Sequence, residues 1–126
     1  MKSNNIHYIF SVHRPEANLT LNHLNTIKCS NDLKDQGVQF TVGEGRNNGE
    51  KKVYFLVAGY ALHERIIAAL CKKYGKENYL KVYPDNATEL VSVVTREVKT
   101  IGSMLKTDKP KGNDFSFFNG KFFEVQ

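Results

Sequence analysis

No stretch of this 126-residue sequence approaches the ~20 consecutive apolar residues that a membrane-crossing helix requires. A secretory leader is not in evidence either, because Ile6 to Val12 is too short and too alternating for a signal core. Cysteine is scarce: Cys29 and Cys71 stand far apart with no paired spacing, which argues against a disulfide framework and fits reduced thiols in the cytoplasm. In that compartment the sequons Asn18-Leu19-Thr20 and Asn86-Ala87-Thr88 carry no sugar. The histidines His7, His13, His23 and His63 show no metal-ligand spacing, and His63-Glu64 lacks the second histidine of a zinc helix. There is no Gly-x-Ser-x-Gly elbow and no Gly-Lys-Ser/Thr. The carboxylates Asp32, Asp35, Glu44 and Glu50 lie in polar segments. With no nucleophile motif, metal set or cofactor fingerprint, the chain reads as a binding protein rather than an enzyme.

Arginine is also rare, four against fourteen lysines, in a chain of net charge +5 and pI near 9.2. A basic excess favours an anionic partner. Scattered lysine is more a solubility pattern than a phosphate code, and no ribonucleoprotein-type aromatic motif is present, so nucleic acid is the weaker candidate. Arginine gives bidentate anion contacts, and binding residues collect at element ends. Arg14 follows the first strand, Arg46 sits on a loop and Arg96 follows a later strand, which makes these three the candidate anion ligands. Arg65 lies within a helix and reads as a solvated charge.

What is present is an ordinary globular composition, 40% apolar and 25% charged, sufficient for one domain spanning 1–126. Ile6, Tyr8, Phe10 and Val12 alternate as in a strand. Leu21, Leu24, Ile27 and Leu33 give a weak helix over 19–36, closed by Gly37. Val38 to Val42 and Lys51 to Val57 read as strands around Gly43-Glu44-Gly45-Arg46-Asn47-Asn48-Gly49-Glu50, a hairpin loop rather than a phosphate cradle, since a strand and not a helix follows. Leu62, Ile66, Leu70 and Tyr74 mark the clearest helix, ending at Gly75. Tyr79 to Tyr83 and Leu90 to Val94 read as strands flanking a Pro84-Asp85-Asn86 turn, 98–105 fits a short helix as well as a strand, and 106–113 reads as a loop. Asp114 to Val125 forms a hairpin on Asn119-Gly120. The expected fold is α+β: an antiparallel β-sheet with one clear and one or two weaker helices and a C-terminal β-hairpin.

That hairpin carries Phe115, Phe117, Phe118, Phe122 and Phe123 on both faces, so its second face needs a cover. A second subunit is the favoured cover, ahead of burial within the domain and of base stacking, and a homo-oligomer is expected.

The order Gly45-x-x-x-Gly49-Glu50, Tyr54-Phe55-Leu56-Val57, Lys73-Tyr74-Gly75, Tyr79-Leu80-Lys81-Val82, Asn86-Ala87-x-x-Leu90-Val91 and Ile101-Gly102 resembles the phage-encoded anti-Thoeris nucleotide-signal sponges of the first type, over about residues 6–105. The resemblance implies a protein in the host-cell cytoplasm that sequesters cyclic ADP-ribose isomers without cleaving them, in pockets at subunit contacts. For some members it extends to cyclic oligonucleotides. It assigns no ligand contacts here. On chemical grounds a diphosphate wants Arg14, Arg46 and Arg96, and an adenine wants an aromatic plane and an amide, for which Tyr83 and Asn86 stand at a strand-to-turn junction. The rival reading is a small basic inhibitor acting by direct contact with a host protein or nucleic-acid complex.

Overall fold

The computed structural model describes residues 6–59 and 62–126. In chain order the elements are β1 (Ile6–Phe10), α1 (Leu19–Asp35), β2 (Thr41–Asn47), β3 (Glu50–Gly59), α2 (His63–Lys73), β4 (Asn78–Val82), β5 (Ala87–Ser92), β6 (Val98–Thr107), β7 (Phe115–Phe118) and β8 (Lys121–Val125). Every strand pairing is antiparallel. The order β1-β3-β2-β7-β8-β6-β5-β4 returns to β1, so the sheet closes into an eight-stranded barrel. The antiparallel sheet, two helices and C-terminal hairpin match the expectation from sequence. Closure goes beyond it.

The first six elements run β-α-β-β-α-β with β4 and β3 flanking β1 and β2 outside β3, the split βαβ arrangement of ferredoxin-like folds. Both helices cover one face of that sheet, and β5 to β8 curl the other face into a lumen. Strand alternation divides the core accordingly. Tyr8, Phe10, Phe55, Val57, Tyr79 and Val91 face outward and bury Cys29 and Leu33 of α1 and Ile67, Leu70 and Cys71 of α2. Ile9, Val82, Met104 and Phe118, with Tyr54, Leu56, Leu80, Phe123 and Val125 against them, fill the inside. Among the described residues no helix is long and apolar enough to cross a membrane.

Both helices end in the same way. Gly37 N–H donates to Lys34 O and Val38 N–H to Leu33 O, while Gly75 N–H donates to Lys72 O and Lys76 N–H to Cys71 O, two Schellman closures that need glycine at positive φ. α1 presents a different face to the core from the one its leucines mark. Leu21, Leu24 and Ile27 are exposed, and Asn22, Cys29 and Leu33 are buried. The reason lies in Asn22, whose side chain accepts from Arg14 N–H at 2.8 Å and donates to Arg14 O at 3.0 Å, which fixes the helix's rotation.

Residues 98–105 are strand throughout, within β6. Thr88 pairs with Gly102 and Glu89 with Thr100, so Ile101 is an extra residue in a β-bulge. The bulge breaks the two-residue period, which is why Val98, Ile101 and Leu105 imitate helical spacing. The segment 43–50 is also more regular than its glycines suggest: strands run to Asn47 and resume at Glu50, leaving a tight Asn48-Gly49 turn. At Gly43 a Cβ would lie 2.1 Å from Phe117 O, and at Gly45 one would lie 2.3 Å from Phe115 O, so the two glycines let β7 close against β2. The C-terminal aromatics divide between the two sides of the barrel wall. Phe118 and Phe123 fill the lumen. Outside it, Phe122 meets Phe115 at 5.4 Å and Phe117 at 4.7 Å between ring centroids.

Candidate functional site

A cavity of about 650 Å³ opens inside the barrel. Ile9, Met104 and Phe123 belong both to its lining and to the inner core cluster, so that cluster forms its floor. Its wall is apolar along Leu80, Leu90, Ile101 and Val125, and the bulge in β6 delivers Ile101 to it. Ser11, Asn47, Tyr54, Asn78 and Ser116 supply polar groups. The rim holds the cations Arg14, Arg46, Lys52 and Lys76 and the carboxylates Glu16, Glu77 and Asp114.

The local fold explains each rim position. Arg14 is anchored through its backbone to Asn22, its Nε donates to Glu16 Oε1 at 2.5 Å, and its guanidinium lies over Gly75. Lys76 is set by the Schellman closure of α2, and its Nζ donates to His13 O at 2.6 Å. Lys52 lies on the inward phase of β3, two residues before Tyr54 and opposite Gly45. His13 Nε2 stands 3.2 Å from Glu50 Oε1, which ties the segment after β1 to the β2–β3 turn. Asp114 accepts the Asn48 N–H and fastens the same turn to β7.

Burial, and then the charge of Lys52, hold the Lys76 ammonium below the usual lysine range. Burial raises the Tyr54 phenol, and Asp114 raises it further. The corner is therefore partly desolvated, and two lysine charges act on each other within it. Among the described residues no group of three or more His, Cys, Asp or Glu side chains is placed to hold a metal ion.

The structure brings Arg14 and Arg46 to this one cavity, although the Arg46 guanidinium donates to Gly49 O at 2.7 Å in its own turn. Arg96 lies in the β5–β6 turn at the same end of the barrel, outside the lining, with φ +63°. Tyr83 and Asn86 stand at the opposite end, past the end of β4 whose start, Asn78, lines the cavity. Tyr83 donates its hydroxyl to Glu89 at 2.6 Å, and Lys81 Nζ sits 5.3 Å from its ring centroid. The Asn86 backbone closes the turn to Tyr83 O and receives Met104 N–H. Lys52, Tyr54 and Lys76 are cavity residues that sequence reasoning passed over. The one available signal was the period-two phase Lys52-Tyr54-Leu56, which aligns a charge with lumen-facing apolar residues. No protein-family model matches the chain, and no curated protein matches it.

Proposed function

We propose that this protein sequesters a small anionic nucleotide signal, of the cyclic ADP-ribose class, in its barrel and holds it unaltered. The cavity carries the reading. Its volume, about 650 Å³, is that of a small-molecule site, and it combines an apolar wall with a rim on which the four cations Arg14, Arg46, Lys52 and Lys76 outnumber the three carboxylates Glu16, Glu77 and Asp114. An eight-stranded barrel has an interior just wide enough for one small ligand. A base or ribose suits the wall and a phosphate suits the rim. This support is independent of the family resemblance, which implies pockets at subunit contacts, because the cavity lies within one chain.

Hydrolysis needs a positioned acid and base, a nucleophile or a metal-activated water. Of the rim carboxylates, Glu16 is engaged by Arg14 and Asp114 by a backbone N–H, arrangements that serve structure. For a partner we assign a second copy of this chain, seated on the outward stripe Leu21, Leu24 and Ile27 of α1. Three exposed aliphatic side chains on one helix face leave apolar surface that a second copy can cover, with the exposed Lys28 beside it.

The deciding experiment incubates the protein with a cyclic ADP-ribose isomer, measures free ligand, then heat-denatures the protein and assays the supernatant. Depletion followed by full recovery of intact ligand is expected. Recovery of a linear product would make the protein an enzyme, and no depletion would favour the direct-contact inhibitor.

A further inference from the structure

We infer that Lys52 and Lys76 form the anion-holding subsite of the barrel cavity, taking a phosphate group of a ligand whose uncharged part lies against Leu80, Leu90, Ile101 and Val125. The inference rests on the sequestration reading and names the chemistry of its site.

Of the fourteen lysines, four are in ion pairs and two line the cavity. Lys51, Lys73, Lys81 and Lys121 each meet a carboxylate: Glu44, Asp32, Glu64 and Asp108 in turn. Lys52 and Lys76 line the cavity, and among the described residues neither is in ion-pair contact with a carboxylate. Both side chains are half-buried, and partly desolvating an ammonium without a carboxylate in contact carries a cost that a bound anion offsets. Here two are brought to one corner from different elements, Lys52 by the inward phase of β3 and Lys76 by the closure of α2. Burial first, and the Lys52 charge second, depress the Lys76 ammonium, while Glu16 and Glu77 act on it in the opposite sense. A dianionic group between them removes that repulsion and accepts from both ammonium groups. One of the three Lys76 N–H donors already goes to His13 O, which fixes the side chain and leaves its remaining donors to orient the anion.

The arginines are placed less well for this role. Arg14 is engaged by Glu16, and Arg46 is turned to Gly49 O. Both act as a positive rim that draws an anion in, whereas the lysine pair holds it. A phosphate at this corner leaves the remainder of the ligand facing the apolar wall, which gives the cavity a defined ligand orientation.

Calorimetry with AMP, adenosine and cyclic ADP-ribose on wild-type protein, Lys52→Met, Lys76→Met and the double variant tests the assignment. AMP is expected to bind wild type at least tenfold more tightly than adenosine. Each single variant is expected to weaken AMP by about tenfold to a hundredfold, the worth of one charge-assisted contact. Lys52→Arg with Lys76→Arg should retain most of the affinity, and methionine at either position should leave Tm unchanged or raised, since it removes an unpaired charge. In wild-type protein the side-chain Cε–H NMR signals of Lys52 and Lys76 should shift with AMP and stay still with adenosine. AMP affinity in the double variant within about twofold of wild type, or unmoved lysine signals on AMP binding, overturns the subsite and leaves the sequestration reading to its own test. AMP held through the two lysines while cyclic ADP-ribose is ignored keeps the subsite and removes the cyclic ADP-ribose assignment. Wild-type protein that binds none of the three overturns both.

Discussion

At the scale of single residues, glycine and left-handed backbone decide more than charge does. Gly45 is buried in β2 with Tyr54 Cε2 2.7 Å from where a Cβ would sit, so Gly45→Ala forces β7 or the Tyr54 ring to move. It is expected to lower stability by about 1–3 kcal/mol in urea denaturation, and an unchanged midpoint would show that the seam yields freely. Arg96 holds φ +63°, a conformation that costs a side-chain-bearing residue about 1–2 kcal/mol. Arg96→Gly should therefore raise stability by up to about that amount, and a simultaneous loss of ligand affinity would place Arg96 in recognition despite its position outside the cavity lining. Arg14 and Arg46 were legible as site candidates because arginine is rare and both stand at element ends. Lys52 and Lys76 were not, because one lysine among fourteen carries no mark. Register and helix closure, which are tertiary facts, give these two their meaning.

Among elements, α1 shows where periodicity misleads. Its leucines spell one face and its asparagine selects another, since a buried amide bound to the Arg14 backbone outweighs three partly exposed aliphatic side chains. Leu24→Gln is expected to change monomer stability by less than about 0.5 kcal/mol, whereas Leu33→Ala should cost about 2–5 kcal/mol. If the proposed second copy sits on this stripe, light scattering on wild type should give at least twice the 14.3 kDa chain mass and Leu24→Gln should return it to one. A clean wild-type monomer would leave α1 as surface alone. Asp32 joins the two helices, receiving Lys73 Nζ at 2.8 Å and Tyr74 hydroxyl at 2.7 Å. Those bonds, Lys73 first, hold its carboxyl below the usual aspartate range, so their stabilisation is full above the unfolded pKa and fades as pH falls through the folded one. Asp32→Asn should flatten that acid limb. Beneath this clasp, burial pushes the Cys29 and Cys71 thiols up to about 12, so both should resist a disulfide reagent at pH 8 until denaturant is added. Most of the other elements were legible from alternation, caps and Asn-Gly turns. β6 was not, because a bulge changes the period that identifies a strand.

For the molecule as a whole, closure is the property that no local pattern encodes. It depends on β2 pairing with β7 from Glu44↔Phe117 to Arg46↔Phe115, two strands separated in the chain by β3, α2, β4, β5 and β6. Only the doubled aromatic faces of the C-terminal hairpin hinted at it, and they were read as calling for a second subunit. One set of rings fills the lumen, and the other, Phe115, Phe117 and Phe122, stands on the outer wall with Phe117 exposed. Removing 115–126 should expose the edges of β2 and β6 and produce concentration-dependent aggregation by light scattering. The floor and wall of the cavity include Phe123 and Val125 from β8, the last barrel strand in chain order. Without β8 the cavity lacks part of its floor and wall, whatever the helices and β1 to β4 contribute. On the sequestration proposal, capture should therefore require β8 in place, and each barrel should hold one ligand, so capacity should rise in step with the number of barrels.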